Sequence, residues 1–462
     1  MLIRRAELEG ALCDVRLAGD RIARIAPSLE PVPGEPSLDA AGCALLPGLH
    51  DHHIHLTAAA AALVSIHCGS PYVQNPRKLA AALRSAPGEG WIRGIGYHPS
   101  VAGEIDRAWL DRNGPDRPIR IQHRGGRMWI FNSLALVALN EPVAGDGRRI
   151  DADAWLRERL NAPPPDLFPV GERLAAFGIT GLTEVTPRND SADFARIAEA
   201  RLPQRLMIMG GASLDDIAPV HRSRVGAVKL HYHDHDLPSF DALTLEVARA
   251  HDAGRAVASH CVTAAELLLT LAAIEAAGAH PGDRIEHAGI AGPEATAWMA
   301  ALGVTVVTQP HFIVERGDAY LAEVDPADRS WLYRLRGFLD AGIALAAGSD
   351  APFGGLDPWA SMGAAVQRPE AFNAAERLDP EQALALYTGE ADAPGVPRRV
   401  LPGEVADLCL LDRSWADARR DLAAVHVRAT LLGGEIVYDS ILSINPQASA
   451  VVADTRRIDS AI

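Results

Sequence analysis

The sequence predicts an α/β protein: a (β/α)8 TIM barrel with insertions, carrying a small β-sandwich-like domain formed by both chain termini. Three observations lead there. Apolar strand-like segments alternate with helix-period segments through the middle of the chain, as a parallel barrel requires. Short β-like pieces recur at both ends, and neither set is large enough to form a core alone. Polar residues suited to chemistry fall at strand ends scattered across the middle. That scatter suits a barrel mouth better than the single crevice of a doubly wound sheet, the competing architecture.

Residues 2–6, 12–17 and 21–25 read as strands, with turns at Gly10, Gly19-Asp20 and Pro27. Their counterparts near the other end are residues 406–411, 424–429 and 435–438. We therefore assign residues 1–46 and 397–442 to the small β domain, 47–396 to the barrel and 443–462 to a tail. Asn445-Pro446 and Arg456-Arg457 in that tail show little packing periodicity, which leaves a loose end or a homo-oligomer contact open. Strand candidates of the middle are residues 92–97, 119–123, 181–186, 206–209, 227–231, 256–260, 284–287, 304–308 and 343–347. Helical segments such as 240–250 and 264–277 alternate with them. Pro163-Pro164-Pro165 marks a loop, and residues 310–330 read as a lid or a short excursion beside a pocket.

A chain of 462 residues, 48% hydrophobic and 22% charged, has the composition of a soluble globular protein with a large core. Its net charge of -15 argues against a nonspecific grip on nucleic acid or an anionic membrane. The N-terminal residues lack the apolar region of a secretory signal, and residues 58–64 are too short an apolar run to span a bilayer. Five cysteines, Cys13, Cys43, Cys68, Cys261 and Cys409, form no paired-thiolate motif. The odd count without an export signal points to free thiols in a reducing cytoplasm. Strand alternation turns Cys261 away from its neighbour His260 and into the core.

The segment Gly48-Leu49-His50-Asp51-His52-His53-Ile54-His55 carries four of the 17 histidines within six positions, directly after an apolar run. In a strand ending at His55, His53 and His55 share one face while Ile54 and His52 turn away. Two imidazoles on one side of a strand end can hold a divalent cation. Segments around Lys229, His260, His287 and Asp350 are the later candidates to complete the site, and a metal-dependent hydrolase is the leading reading.

The run Pro47-Gly48-Leu49-His50-Asp51-His52-His53-Ile54-His55 resembles the Pro-Gly-x-x-Asp-x-His-x-His opening of the amidohydrolase superfamily. The likeness is to its branch of metal-dependent amidohydrolases related to N-substituted formamide deformylase. Val228-Lys229-Leu230, His260, Arg284-Ile285-Glu286-His287-Ala288 and Gly348-Ser349-Asp350-Ala351-Pro352 follow in the order of that family's strands four, five, six and eight. The resemblance covers residues 1–440. It implies that His53, His55 and Asp350 hold one cation and that His260 and His287 hold a second. Lys229, carboxylated to a carbamate, would bridge the two; as an ordinary salt-bridging lysine it would leave a single-metal site. Imidazole and oxygen ligands suit Zn2+, two ions per subunit, with Mn2+, Fe2+ or Ni2+ as alternatives. Asp350 would take a proton from the attacking water and pass it to the departing nitrogen. The implied reaction is hydrolysis of a C–N bond (amide, formamide, urea or related) in a small molecule. A lactonase or ester hydrolase uses the same chemistry, and a noncatalytic ligand-binding barrel is the remaining alternative.

Residues 91–98 resemble a substrate-side strand of the family and offer Tyr97 and His98 as substrate contacts. Relatives carry Asp-Gly-His where this chain places Arg127, with His123 shortly before it. Arg127 is expected either to hold a substrate carboxylate in a bidentate contact or to brace the insertion through a salt bridge. Alternation from Lys229 turns His231 and His233 inward, toward substrate or its water; a further metal there is the weaker reading, because the primary set is already complete. Gln309 and His311, at the end of a family-like strand seven, are expected to contact substrate, with His311 stabilising the oxyanion.

Overall fold

The computed structural model describes residues 1–70, 72–160 and 163–441. The chain divides into two compact units, one made of Met1–His55 together with Leu167 onward, the other of Leu56–Asp166.

In the first unit the strands Leu49–Ile54, Ile179–Glu184, Arg205–Gly210, Ser223–Leu230, Val257–Cys261, Arg284–His287, Thr305–Thr308 and Leu345–Ala347 form one sheet. Each is parallel to its neighbour. The first and last strands are stitched at their C-terminal ends by individual hydrogen bonds rather than by a regular ladder. Asp350 N donates to His53 O at 2.7 Å, His55 N to Ala351 O at 3.0 Å, and Ser349 N to Asp51 Oδ1 at 2.9 Å. Gly348 permits that approach, since a Cβ there would lie 2.3 Å from His53 N. This is the TIM barrel the sequence predicts. Several of its helices are closed by local chemistry legible in the chain: Ala264–Ala277 opens on a capping box between Thr263 and Glu266.

The termini meet as predicted. Strands Leu2–Leu8, Ala11–Ala18, Arg21–Ala26 and Ser37–Asp39 form one sheet; Leu45–Pro47, Leu408–Leu411, Val427–Leu432 and Glu435–Asp439 form the other. Ile3, Val15 and Ile22 from one sheet pack with Leu408, Leu410 and Leu431 from the other. Leu45–Pro47 pairs antiparallel with Leu408–Leu411 and runs on into the first barrel strand. The sandwich thereby anchors the strand that carries the histidines.

The second unit holds a mixed sheet of Ile66–His67, Ile92–Tyr97, Ile119–His123, Met128–Phe131 and Arg148–Ile150. Two strand candidates of the middle, residues 92–97 and 119–123, are therefore strands of this sheet and not of the barrel. Their burial alternates, whereas the first and sixth barrel strands are buried throughout. Arg93 and Arg120, paired in register, lie over the Trp129 ring, and burial pushes both guanidinium groups down to about 10.

Residues 310–330 contain two short helices, Phe312–Glu315 and Gly317–Glu323. Phe312 and Ile313 pack there with Leu332, Tyr333 and Phe372. Cys261 is buried with its thiol 3.5 Å from Thr270 Oγ1, and burial pushes its pKa up to about 12. Among the described residues, no helix is long and apolar enough to cross a membrane. The expected tail, residues 443–462, lies outside the described residues.

Candidate metal centre

The barrel mouth is assembled from strand ends, where alternation and local breaks in it decide which side chains converge. His53 and His55 share a face, and Nε2 of each lies 3.3 Å from Asp350 Oδ1. The His53 ring is 4.7 Å from that of His287, which is 4.6 Å from that of His260. A regular strand sends consecutive residues to opposite faces, yet Glu286 and His287 both contact His53. His287 takes a left-handed φ of 69°, which breaks the strand and re-aims its ring; Asp350 does likewise with a φ of 50°. Non-glycine residues held in this region carry backbone strain and concentrate at functional sites.

Three imidazoles are oriented from behind. His53 Nδ1 donates to Glu286 Oε2 at 2.5 Å, His287 Nδ1 donates to Gln309 Oε1 at 2.7 Å, and His55 Nδ1 pairs with Thr186 Oγ1 at 3.1 Å. Each ring thereby turns its Nε2 towards the barrel mouth, where Nε2 of His53 and of His55 meets Asp350. This is how proteins fix the tautomer and aim of metal-binding histidines. Behind His53 the chain of contacts continues: Arg284 Nε donates to Glu286 Oε1 at 2.6 Å, and Arg284 Nη2 to His52 O at 2.7 Å.

The electrostatics suit ligation. Burial would raise Glu286, but Arg284, Lys229 and His53 hold it well below the usual carboxylate range. Burial would likewise raise Asp350, and the hydrogen bonds from His53 and His55 hold it well below that range. Burial and the charge of His53 push His287 down to about 3, so its ring is neutral. Burial also pushes Lys229 down to about 8, against the pull of Glu286. The Lys229 Nζ is buried without a hydrogen-bond partner. Converging imidazoles and ionised carboxylates, with the orphaned Lys229 nitrogen beside them, form a set that fits a divalent cation. Donor atoms of His53, His287 and Asp350 lie within 4.8 Å of one another; those of His231, His233 and His260 form a second such group.

Residues 37–438 match the sequence model of the Amidohydrolase family. The chain belongs to the amidohydrolase family. It is 26% identical over 520 aligned positions to N-substituted formamide deformylase from Arthrobacter pascens, covering 92% of this chain and 94% of that protein. It is 24% identical to Protein LONG AFTER FAR-RED 3 from Arabidopsis thaliana, over 88% of this chain and 84% of that one. Its fold is shared with an uncharacterized metal-dependent hydrolase from Pyrococcus horikoshii, with a TM-score of 0.73 at 19% identity over 92% of this chain and 98% of the other.

The remaining expected residues of this amidohydrolase are distributed as follows. Gln309 holds the back of His287. His311 is buried, with Nδ1 3.0 Å from Ser361 Oγ and Nε2 3.1 Å from the Ser349 carbonyl, so both nitrogens are engaged beneath the Asp350 turn. Tyr97, His98, His123 and Arg127 lie in the second unit. Tyr97 donates its hydroxyl to Gly103 O at 2.5 Å, His98 caps the short helix Pro99–Ala102, and His123 Nδ1 accepts from Gly125 N at 3.1 Å. Arg127 Nε donates to Asp151 Oδ1 at 2.7 Å, and its second nitrogen meets the other carboxylate oxygen. Reasoning from the sequence missed Thr186, which stands in no motif. It also passed over Glu286 and Asp51 as supporting groups, although both stand in the motif segments. Asp51 accepts from His53 N and from Ser349 N, and burial raises its carboxyl to about 6.

Proposed function

We propose that this chain hydrolyses a C–N bond (amide, formamide, urea or related) in a small molecule, with water activated at the barrel mouth. One observation carries the reading: three imidazoles, each braced at Nδ1, present Nε2 around the ionised Asp350. His53, His55, His287 and Asp350 would hold a cation, zinc by the chemistry of the donors, with His260 beside them. When bound, such a cation supplies Lewis acidity, acidifying water and polarising a carbonyl. Asp350 accepts the proton of the attacking water and returns it to the departing nitrogen. Glu286, Gln309 and Thr186 keep the imidazoles aimed, so the site is organised before substrate arrives. Lys229 contributes ligand oxygens only as a carbamate, because an ammonium has no lone pair to offer; its buried, unpartnered nitrogen supports that modification. His311 supports the Asp350 turn through the Ser349 carbonyl.

Metal content after mild purification, followed by chelation and restoration, tests the reading. Activity is measured in parallel on N-substituted formamides, N-acyl amino acids, cyclic ureas and lactones. The expected result is bound zinc and C–N cleavage that chelation removes and zinc restores. Folded protein without bound metal or metal-responsive hydrolysis would overturn the proposal, and lactone turnover without C–N cleavage would replace the C–N assignment by an ester one.

A further inference from the structure

The donor atoms at the barrel mouth sort into two groups with no shared member: His53, His287 and Asp350, and His231, His233 and His260. Family resemblance places His260 with His287 and a bridging Lys229. Geometry places His260 with two histidines that follow Lys229 in the chain.

Local structure explains why. The fourth barrel strand ends at Leu230, and His233 is extended, with φ and ψ of -121° and 151°. Lys229 lies within the strand, and just past its end His231 and His233 both turn their rings towards His260. The chain then turns through the short 3-10 segment Asp234–Asp236. Thr263 Oγ1 donates to Asp234 Oδ1 at 2.9 Å, tying that turn to the cap of the helix that follows the His260 strand. The histidine arm is thus pinned against the fifth strand end. The His231 ring is 4.2 Å from His260 and 4.7 Å from His233; His233 is 6.2 Å from His260. Three nitrogens bound to one tetrahedral cation at about 2.0–2.1 Å stand roughly 3.4 Å apart. Small ring rotations bring donors already within 4.8 Å to that spacing.

We propose that His231, His233 and His260 form a three-imidazole site for a borderline divalent cation such as Zn2+ or Co2+. The second ion would then be held whether or not Lys229 is carboxylated. All three donors are imidazole nitrogens, which favours zinc, cobalt, nickel or copper over magnesium or calcium. Three imidazoles also leave one coordination position open, the layout of a catalytic rather than a sealed structural site. The inference rests on the metal-dependent reading of the barrel mouth and changes which residues hold the second ion.

Zinc stoichiometry by equilibrium dialysis and elemental analysis, together with the visible absorption of the Co2+-loaded protein, tests it on the full chain. Wild type, the double variant His231→Gln/His233→Gln, Lys229→Met and His53→Ala are compared, with circular-dichroism melts to confirm folding. The expected result is two ions in wild type and in Lys229→Met. The double glutamine variant should lose about one ion and part of the Co2+ absorption, while His53→Ala loses the other ion. Retention of both ions by the double variant, or loss of the second ion in Lys229→Met, would overturn the proposal while leaving the metal-dependent reading intact. Failure of folded wild type to take up any ion would overturn both.

Discussion

Arg284 in the barrel and Arg127 in the insertion each grip a carboxylate through two nitrogens, and the two pairs behave as different devices. The Arg284 and Glu286 side chains are 4% and 0% exposed; those of Arg127 and Asp151 are 39% and 57% exposed. The buried pair ends on His53, so its geometry is transmitted to a candidate ligand. The exposed pair joins two neighbouring strands, in a hairpin where Met128 faces Ile150. Water screens the second pair and cannot screen the first. Burial, and what lies behind the carboxylate, sets how much an arginine–acid pair matters.

The barrel mouth should therefore be intolerant of single-atom changes. Asp350→Asn removes a proton acceptor and a ligand oxygen while preserving shape. We expect kcat/KM to fall by about 10²–10⁴, the range for losing a positioned acid–base group. A loss below about tenfold in fully metal-loaded protein would remove Asp350 from the proposed chemistry.

Glu286→Gln tests the buried pair itself. It leaves Arg284 buried opposite a neutral amide, a loss of about 3–5 kcal/mol for a broken buried pair. It also loosens His53, for which roughly a 10–100-fold drop in metal affinity is expected. Melting curves and competition with a chelator of known affinity read the two effects separately. Unchanged metal affinity in a folded variant would show that the Glu286–His53 contact does not govern ligation.

Metal removal should produce a smaller stability effect, and one confined to the barrel. A cation present at about a hundred times its Kd stabilises the native state by about 2.7 kcal/mol. Chelation should lower Tm and zinc should restore it, while His53→Ala should lose the share of that increment contributed by the ion at His53. A zinc-dependent shift of undiminished size in His53→Ala would place the stabilising ion elsewhere.

The same contrast explains how far the sequence could be read. Arg284 and Glu286 stand two apart, so strand alternation alone puts them on one face. Asp151 lies 24 residues from Arg127, and only the hairpin pairing brings them together. The ligand candidates were legible because they stand at strand ends in a fixed order. The aim of His287 and Asp350 was not, since alternation assumes extended backbone and both residues adopt left-handed φ values. Thr186 was silent for a related reason: a hydroxyl at a strand end carries no signal until the strand beside it is known. Strands 92–97 and 119–123 were readable as strands but were grouped with those of the barrel.

Arg127 gives the mildest and most discriminating test. As a sequence feature it suggests recognition of a substrate carboxylate, because it stands where the family resemblance leads one to expect histidine. In the structure its guanidinium already faces Asp151 through two contacts, so its charge is balanced within the insertion. A guanidinium engaged in this way must give up a partner before it can bind an anion, which removes most of the attraction. Arg127→Met should thus reduce kcat/KM for matched acidic and neutral substrates about equally, by roughly threefold or less, and cost about 1 kcal/mol or less in stability. Asp151→Asn supplies the counter-test: it releases the arginine, and any latent preference for an acidic substrate should then increase. A tenfold loss confined to the acidic substrate in Arg127→Met would show that the arginine leaves Asp151 to bind substrate, and would make the exposed pair a recognition device after all.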